Sequence, residues 1–257
     1  MPVPFSTVNA LVLREVKYKE ADRILTLLTA ERGIITAKAR GALRKTSKTS
    51  AATQQLTYSE MTVFENNGRI TVNEATVKEP FEGLRKDFEA FSLGCYFAEA
   101  AETLARSDIP EPDILRLMLN SLYALSCGMY SHSHIKAAFE LRLASILGYA
   151  PDLSKCAVCG KPDPDNPTIG ISTGHLCCRE CRNSDIGITD YLTPESLSAM
   201  RYIISAPPKQ FLAFSLEEGS VPYLCRACED YLADYSSRRF QTLDYYKSIR
   251  TSSLSDS

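Results

Sequence analysis

The sequence predicts an α+β chain of several domains: a five-stranded barrel, then an α-helical domain carrying an inserted four-cysteine element. Three observations support this. Strand-forming segments with hairpin turns are confined to residues 1–78, helical periodicity starts after Pro80, and two Cys-x2-Cys pairs fall between helical segments. The expected division is 1–78 for the barrel, 79–150 and 186–250 for the helical domain, 151–185 for the insertion and 251–257 for a frayed tail.

The strands are expected at Asn9–Lys17, Arg23–Ala30, Ile34–Arg40, Thr57–Phe64 and Ile70–Val77. Glu31-Arg32-Gly33 turns the second strand into the third, and Asn66-Asn67-Gly68 is a hairpin turn. Five short strands linked this way suggest a small barrel, of which the OB-fold is the common nucleic-acid-binding example. Side chains alternate along a strand, so Ile35, Ala37 and Ala39 suit a core while Thr36, Lys38 and Arg40 face outward. The following segment, Gly41 to Ala52, is polar and cationic, with Arg44, Lys45 and Lys48. Such a segment buries too little apolar surface to order itself, but it can settle on a phosphate backbone.

Beyond Pro80 the apolar residues recur at helical spacing. Leu84, Phe88, Phe91, Cys95 and Ala98 form one stripe. Ile114 or Leu115, Met118, Leu122 and Leu125 form a second, and Ile135, Phe139, Leu143 and Ile146 a third, ended by Gly148 and Pro151. Thr193-Pro194-Glu195 opens another helix with an N-cap and an N1 proline. A last long helix is expected from Pro222 to Arg250, with Leu224, Cys228, Tyr231 and Tyr235 on one side. The sequence holds no internal repeat.

Composition excludes several classes. The hydrophobic content of 44% and charged content of 23% are those of a globular protein, not a disordered one. The start, Met1-Pro2-Val3-Pro4, lacks a secretory pattern, and no stretch approaches the roughly 18 apolar residues of a membrane span, so a cytoplasmic location with no membrane partner is expected. There, nine cysteines are metal ligands or buried thiols rather than disulfides. The net charge of −2 hides an asymmetry: residues 1–50 hold ten Lys/Arg against four acids, leaving +6 there and −8 in the rest. A basic module on an acidic body is the layout expected when one end meets a polyanion. A lysine-rich solvated surface accounts for it equally well.

The sharpest motif is Cys156-x2-Cys159 with Cys178-x2-Cys181, separated by eighteen residues. Two residues between thiolates let one tight knuckle offer both sulfurs to a tetrahedral Zn2+, and a second knuckle closes the shell, which makes the site structural. The loop between them, with Pro162, Pro164, Pro167, Gly170 and Gly174, gains order from the metal. Cys177 and His175 sit beside the second knuckle and compete with Cys178 as ligands. Cys225-x2-Cys228 lies in a helical pattern where packing is the simpler role; a metal role shared with another knuckle is its rival. Cys95 and Cys127 read as buried thiols.

Gly170-Ile171-Ser172-Thr173-Gly174 satisfies G-x-S-x-G, the hydrolase nucleophile elbow. That motif needs a strand before it, a helix after it, and a later acid and histidine. Here it falls inside the metal loop, so the match is chance. His132 and His134 open a helix in surface or capping roles. Phosphate-binding loops are absent, and no paired carboxylates stand out, so the chain is not expected to be an enzyme.

Together these features resemble the bacterial RecO family of recombination mediators. The resemblance is carried by Ala10-Leu11-Val12-Leu13-Arg14, by Tyr18-Lys19-Glu20-Ala21-Asp22-Arg23-Ile24-Leu25-Thr26-Leu27-Leu28-Thr29, and by Glu31-Arg32-Gly33-Ile34 leading into Ala37-Lys38-Ala39-Arg40-Gly41. Phe139-Glu140-Leu141-Arg142-Leu143, Leu147-Gly148-Tyr149-Ala150-Pro151, the cysteine knuckles and Arg239-x2-Thr242 (threonine for the family's serine) continue it. The resemblance implies an N-terminal OB-fold, a helical body and a zinc element inserted in it. It also implies a cytoplasmic, nucleoid-associated protein that binds single- and double-stranded DNA and anneals single strands. Its implied partners are the single-strand-binding protein and RecR, with which it loads RecA onto DNA. Carried onto this sequence, the family's DNA contacts point to Arg14, Lys17, Arg23, Lys38, Arg40, Arg44, Lys45 and Lys48. Aromatics for base stacking are few there, only Tyr18 with Tyr58 or Phe64, so binding should rest on phosphates and be salt-sensitive. Two rivals from other classes are an OB-fold RNA-binding factor and a hydrolase using Ser172.

Overall fold

The computed structural model describes residues 5–182 and 187–255; the expected non-secretory start, part of the expected insertion and the tip of the expected tail lie outside the described residues. The chain packs as two compact units, residues 1–128 with 240–257, and residues 129–239. This grouping divides the expected helical domain, giving its first two helices and its last one to the barrel.

In the first unit, β1 (Phe5–Tyr18), β2 (Asp22–Thr29), β3 (Gly33–Ala39), β4 (Tyr58–Asn66) and β5 (Arg69–Glu79) close a barrel in the order β1-β2-β3-β5-β4. Only β3 and β5 run parallel. Strand β1 pairs with β4 through its first half and with β2 through its second, bending at a register shift between Val12 and Arg14. This is the five-stranded OB architecture. Alternation fills the interior with Val12, Leu25, Leu27, Ile35, Ala37, Ala39, Met61, Val63, Ile70 and Val72. The β4–β5 hairpin turns on Asn67 and Gly68, both at positive φ (50° and 71°), as a type I′ turn requires.

The cationic segment after β3 is tied down, against expectation. Leu43 N–H donates to Ala21, Thr53 N–H to Thr49 and Leu56 N–H to Val12, while Ala42, Ala52 and Leu56 are fully buried. A short 3-10 turn, Ala51–Thr53, closes the loop onto the barrel. Three small or apolar anchors order a segment that its composition alone describes as floppy.

Helices α1 (Phe88–Leu104) and α2 (Pro112–Cys127) follow. The α2 stripe is buried as expected. On α1 the buried face is Leu93, Tyr96, Phe97, Ala100 and Ala101, whereas Phe88 is 61% exposed. Two aromatic stripes compete on this helix, and the one with small residues interleaved packs closer. Cys127 is exposed rather than buried.

In the second unit, α3 (His132–Ile146) is followed by the strands β6 (Pro167–Gly170), β7 (Leu176–Cys178) and β8 (Thr189–Tyr191), then α4 (Pro194–Ser205) and α5 (Val221–Ser236). Helix α3 packs on α4 and α5, burying Ile135, Phe139 and Leu143. Thr193 and Ser196 form a capping box at α4, whose far end is capped by the Arg142 guanidinium, donating to Ile203 and Ile204 carbonyls at 2.8 and 2.6 Å. Lys136 lies buried between Glu140 and Glu229, 2.8 Å from each. Two carboxylates around one ammonium raise its pKa against desolvation.

The expected last helix is two. Ser237 at φ +48° ends α5 in the left-handed conformation, and α6 (Gln241–Ser255) restarts in the first unit. Glu99 on α1 accepts the backbone N–H groups of Gln241 and Thr242 and the Thr242 hydroxyl, capping α6 from outside the helix. A serine in place of glycine gives no stop signal, and the cap comes from a residue over a hundred positions away. The expected frayed tail is helical as far as Ser255.

Asp190 on β8 is buried against α5, 3.1 Å from Arg226, with Asp230 nearby. Burial and Asp230 together raise its pKa to about 6. A raised carboxyl pKa means stability is highest below the unfolded value of 3.8 and falls as pH climbs through 6. Asp190→Asn should therefore raise the melting temperature at pH 7.5, with the gain gone by pH 4, read by paired thermal scans.

Candidate nucleic-acid interface and metal centre

Position on β2 and β3 decides which cations are available. Val16, Ile24, Lys38 and Thr71 align in one row across four strands. The neighbouring row pairs Lys17, Arg23 and Ala39. Ala39 belongs to the core, so Arg23 takes the inner parity. Its side chain is 10% exposed, its Nε lies 3.0 Å from Glu15, and its Nη1 donates to the Ser50 carbonyl and the Thr53 hydroxyl, both at 2.8 Å. Arg23 is thus a clamp between the barrel and the cationic loop and is not placed to meet a phosphate.

Two more expected contacts carry carboxylate partners. Arg14 forms a fork onto Glu102 of α1, with Nη2 at 2.6 Å, because α1 covers that face of the barrel. Lys38 lies 2.8 Å from Asp22, whose carboxyl pKa is lowered by the Lys38 hydrogen bond and by the Gly41 N–H. Lys17, Arg40, Arg44, Lys45 and Lys48 are exposed, and none has a carboxylate within ion-pair distance among the described residues. Arg44 lies back over Gly41, which takes φ +64°. Lys48 lies apart from the others, beside Asn73 to Val77 of β5.

A groove of about 690 Å³ opens on the outer face of β2, β3 and β5. Its lining includes Tyr18, Lys38, Arg40, Phe64, Arg69 and Thr71. The Lys38 ammonium sits 5.0 Å above the Tyr18 ring and Lys19 5.6 Å from it, and Phe5 backs Phe64 at 5.1 Å. The groove therefore brings two aromatics, both flagged by sequence, beside three cations; Tyr58 does not line it. Sequence reading missed Lys19 and Arg69. Arg69 follows the Asn67-Gly68 turn directly, so the hairpin signal that located the turn also located a cation at its exit.

In the second unit, four sulfurs converge. Those of Cys156, Cys159, Cys178 and Cys181 lie within 4.8 Å of one another, with Cys159 and Cys178 at 3.6 Å. Thiolates bound at ~2.3 Å to a tetrahedral ion stand about 3.8 Å apart, so this group fits a metal. The Cys178 N–H points at the Cys156 sulfur, 3.3 Å away. Burial works against the Cys156 thiolate, but the N–H groups of Cys159, Cys178 and Val158 prevail and lower its pKa to about 6. A thiolate already favoured by N–H donors suits a ligand. Four sulfurs complete the shell and leave no position for a substrate.

Neither Cys177 nor His175 joins this group. Cys177 is buried, and desolvation first, then Cys156, push its thiol to about 11. Cys228 is fully buried on the α5 stripe, and Cys225 donates to the Ser133 carbonyl, so both pack against helices. Residues 170–174 form the tight turn between β6 and β7, with Gly174 N–H donating to the Gly170 carbonyl at 2.8 Å; the element that comes next after Ser172 is strand β7, not the helix an elbow needs. His134 is stacked between Tyr130 and Phe214, rather than capping its helix.

The same span matches known proteins. The family model "Recombination protein O N terminal" covers residues 3–81, and "Recombination protein O C terminal" covers residues 85–244. The DNA repair protein RecO of Acetivibrio thermocellus is 31% identical over 94% of this chain and 96% of its own length. The protein of the same name from Heliobacterium modesticaldum is 36% identical over 78% of this chain and 74% of its own. That from Alkaliphilus metalliredigens is 31% identical over 69% and 72%. The barrel, helices α1 to α5 and the cysteine knuckles fall inside the matched regions, the second of which ends within the first turn of α6, and the chain belongs to the RecO family.

Proposed function

We propose that this chain is a non-catalytic, DNA-binding recombination mediator acting in DNA repair. The carrying observation is the groove on the barrel, where exposed cations without carboxylate partners lie beside Tyr18 and Phe64 on the face by which OB-folds take oligonucleotides. Lys17, Lys19, Arg40, Arg44, Lys45 and Arg69 neutralise phosphates, releasing counterions, and Lys38 adds to them by exchanging Asp22 for a phosphate. Tyr18 and Phe64 give bases a stacking surface that any sequence can use. A strand whose phosphates are neutralised repels a complementary strand less, which is the physical basis for annealing. Its relatives are named as DNA repair proteins, which supports the same reading. The family's remaining attributes follow with it: contact with the single-strand-binding protein and with RecR, help in loading RecA, and a location in the cytoplasm at the nucleoid.

In the cysteine group the resident metal is Zn2+, bound by Cys156, Cys159, Cys178 and Cys181. When bound it supplies cross-linking, joining the β7 knuckle to the loop before β6.

Arg40→Ala with Arg44→Ala should weaken binding of single-stranded DNA uniformly across sequences and lower the salt slope by about one to two units. Anisotropy titrations at two salt concentrations measure this. Unchanged affinity and slope rule out the barrel assignment, and tighter binding of RNA at matched salt favours an RNA-binding factor. Protein purified without added metal should carry one zinc per chain by elemental analysis; less than half an equivalent refutes the metal identity.

A further inference from the structure

The sheet built around the cysteine knuckles has two unlike faces. Along β8, Asp190 turns to α5 and Arg226, so Thr189 and Tyr191 take the opposite parity. Tyr191 is 43% exposed there. The Arg179 guanidinium lies over one face of its ring, 5.5 Å from the centroid, which leaves the other face for a base, and Arg182 reaches its hydroxyl at 3.4 Å and the Thr189 hydroxyl at 3.3 Å. Each arginine directly follows a sulfur of the metal group, Arg179 after Cys178 and Arg182 after Cys181. Arg179 is further held by its N–H, which donates to the Asn166 carbonyl at 3.0 Å.

Several carboxylates of the cysteine-rich segment and β8 are engaged by other partners. Asp163 pairs with Arg201, Asp165 with Lys161 and Asp190 with Arg226, while Asp152 accepts from Ser154. Glu180 is the exposed acid between the two arginines in sequence. Neither Arg179 nor Arg182 has a carboxylate within ion-pair distance among the described residues.

We propose that Tyr191, Arg179 and Arg182 form a second single-strand contact, in which one base stacks on the tyrosine and the guanidiniums take the adjoining phosphate. An exposed ring flanked by two guanidiniums is what sequence-tolerant strand binding requires. A metal held by Cys178 and Cys181 would fix the backbone next to both arginines, so this contact would depend on metal while the barrel groove would not. The identity of the polymer rests on the nucleic-acid reading given above. Four thiolates around a divalent ion carry a net −2, which the arginines also offset, so the contact relies on stacking and bidentate geometry more than on net charge.

The test uses the full chain, zinc-loaded, with a fluorescent 30-nucleotide thymidine strand. Tyr191→Leu should bind about five- to tenfold more weakly, the scale of one lost stacked base, with its zinc content unchanged. Arg179→Gln with Arg182→Gln should do the same and lower the salt slope by about one unit. Both losses should persist in the Arg40→Ala/Arg44→Ala background, and a 5-iodouracil strand should cross-link to Tyr191 only while zinc is bound. Zinc-replete Tyr191→Leu that binds as tightly as the parent overturns the proposal. So does an arginine pair whose sole effect is zinc loss, since the arginines are then counter-charges to the metal. Loss of binding from the Tyr191 variant with none from the barrel variant rejects the barrel reading and leaves this contact standing.

Discussion

The barrel's usable charge depends on one buried interaction, the Arg23 clamp. Its guanidinium joins Glu15 on β1 to the Ser50 carbonyl and the Thr53 hydroxyl, so two strands and the loop after β3 share one anchor. Burying a charged pair is close to neutral when the pair is complete, because desolvation offsets most of the attraction. The clamp therefore contributes little net stability and a great deal of position. It holds residues 49–53 against the barrel, so Arg44, Lys45 and Lys48 stand on a fixed loop. An ordered loop loses less conformational entropy on meeting a phosphate chain than a floppy one does.

Strand parity separates Arg23 from Lys38, although Lys17, in the row of Arg23 near the end of β1, is exposed. Arg23 shares a row with Ala39, and Lys38 shares one with Ile24 and Thr71. One step along a strand reverses the side chain's direction and with it the role of the charge. A second sorting follows from neighbours: α1 brings Glu102 onto Arg14, and the β1–β2 turn brings Asp22 onto Lys38. An exposed pair like Arg14–Glu102 is worth under about 1 kcal/mol, yet it withholds a guanidinium from a ligand as long as it stays formed. The N-terminal surplus of positive charge thus overstates the charge on offer.

Where the sequence was legible, the signal was local. The alternation in β3 identified Ile35, Ala37 and Ala39 as core, the Asn67-Gly68 turn located a hairpin, and the Cys-x2-Cys spacing brought four sulfurs together. Illegible features depended on distant partners. Nothing near Arg23 announces Thr53, nothing near Gln241 announces Glu99, and a serine at 237 carries no glycine-like stop signal. The α1 stripe failed for a related reason: Phe88 and Leu93 fit a helical period equally well, and only packing chooses between them. The composition of the cationic loop describes only what that segment can bury by itself, while Ala42 is buried in the barrel core and Leu56, just beyond the loop, lies against Gly94 of α1.

The four-cysteine group works in the same way as the clamp, by joining segments that have little core of their own. Between Cys156 and Cys181 the chain has two strands of four and three residues, too short to persist alone. Their order comes from the sulfur group on one side and from α5 on the other, where Gly174 approaches the Tyr231 ring so closely that a Cβ would lie 2.8 Å from its hydroxyl. Each module therefore relies on one polar centre to fix a piece of backbone that carries cations outward: a guanidinium in the barrel, four thiolates in the second unit. On the proposed reading, what each centre contributes to binding passes through the residues it positions.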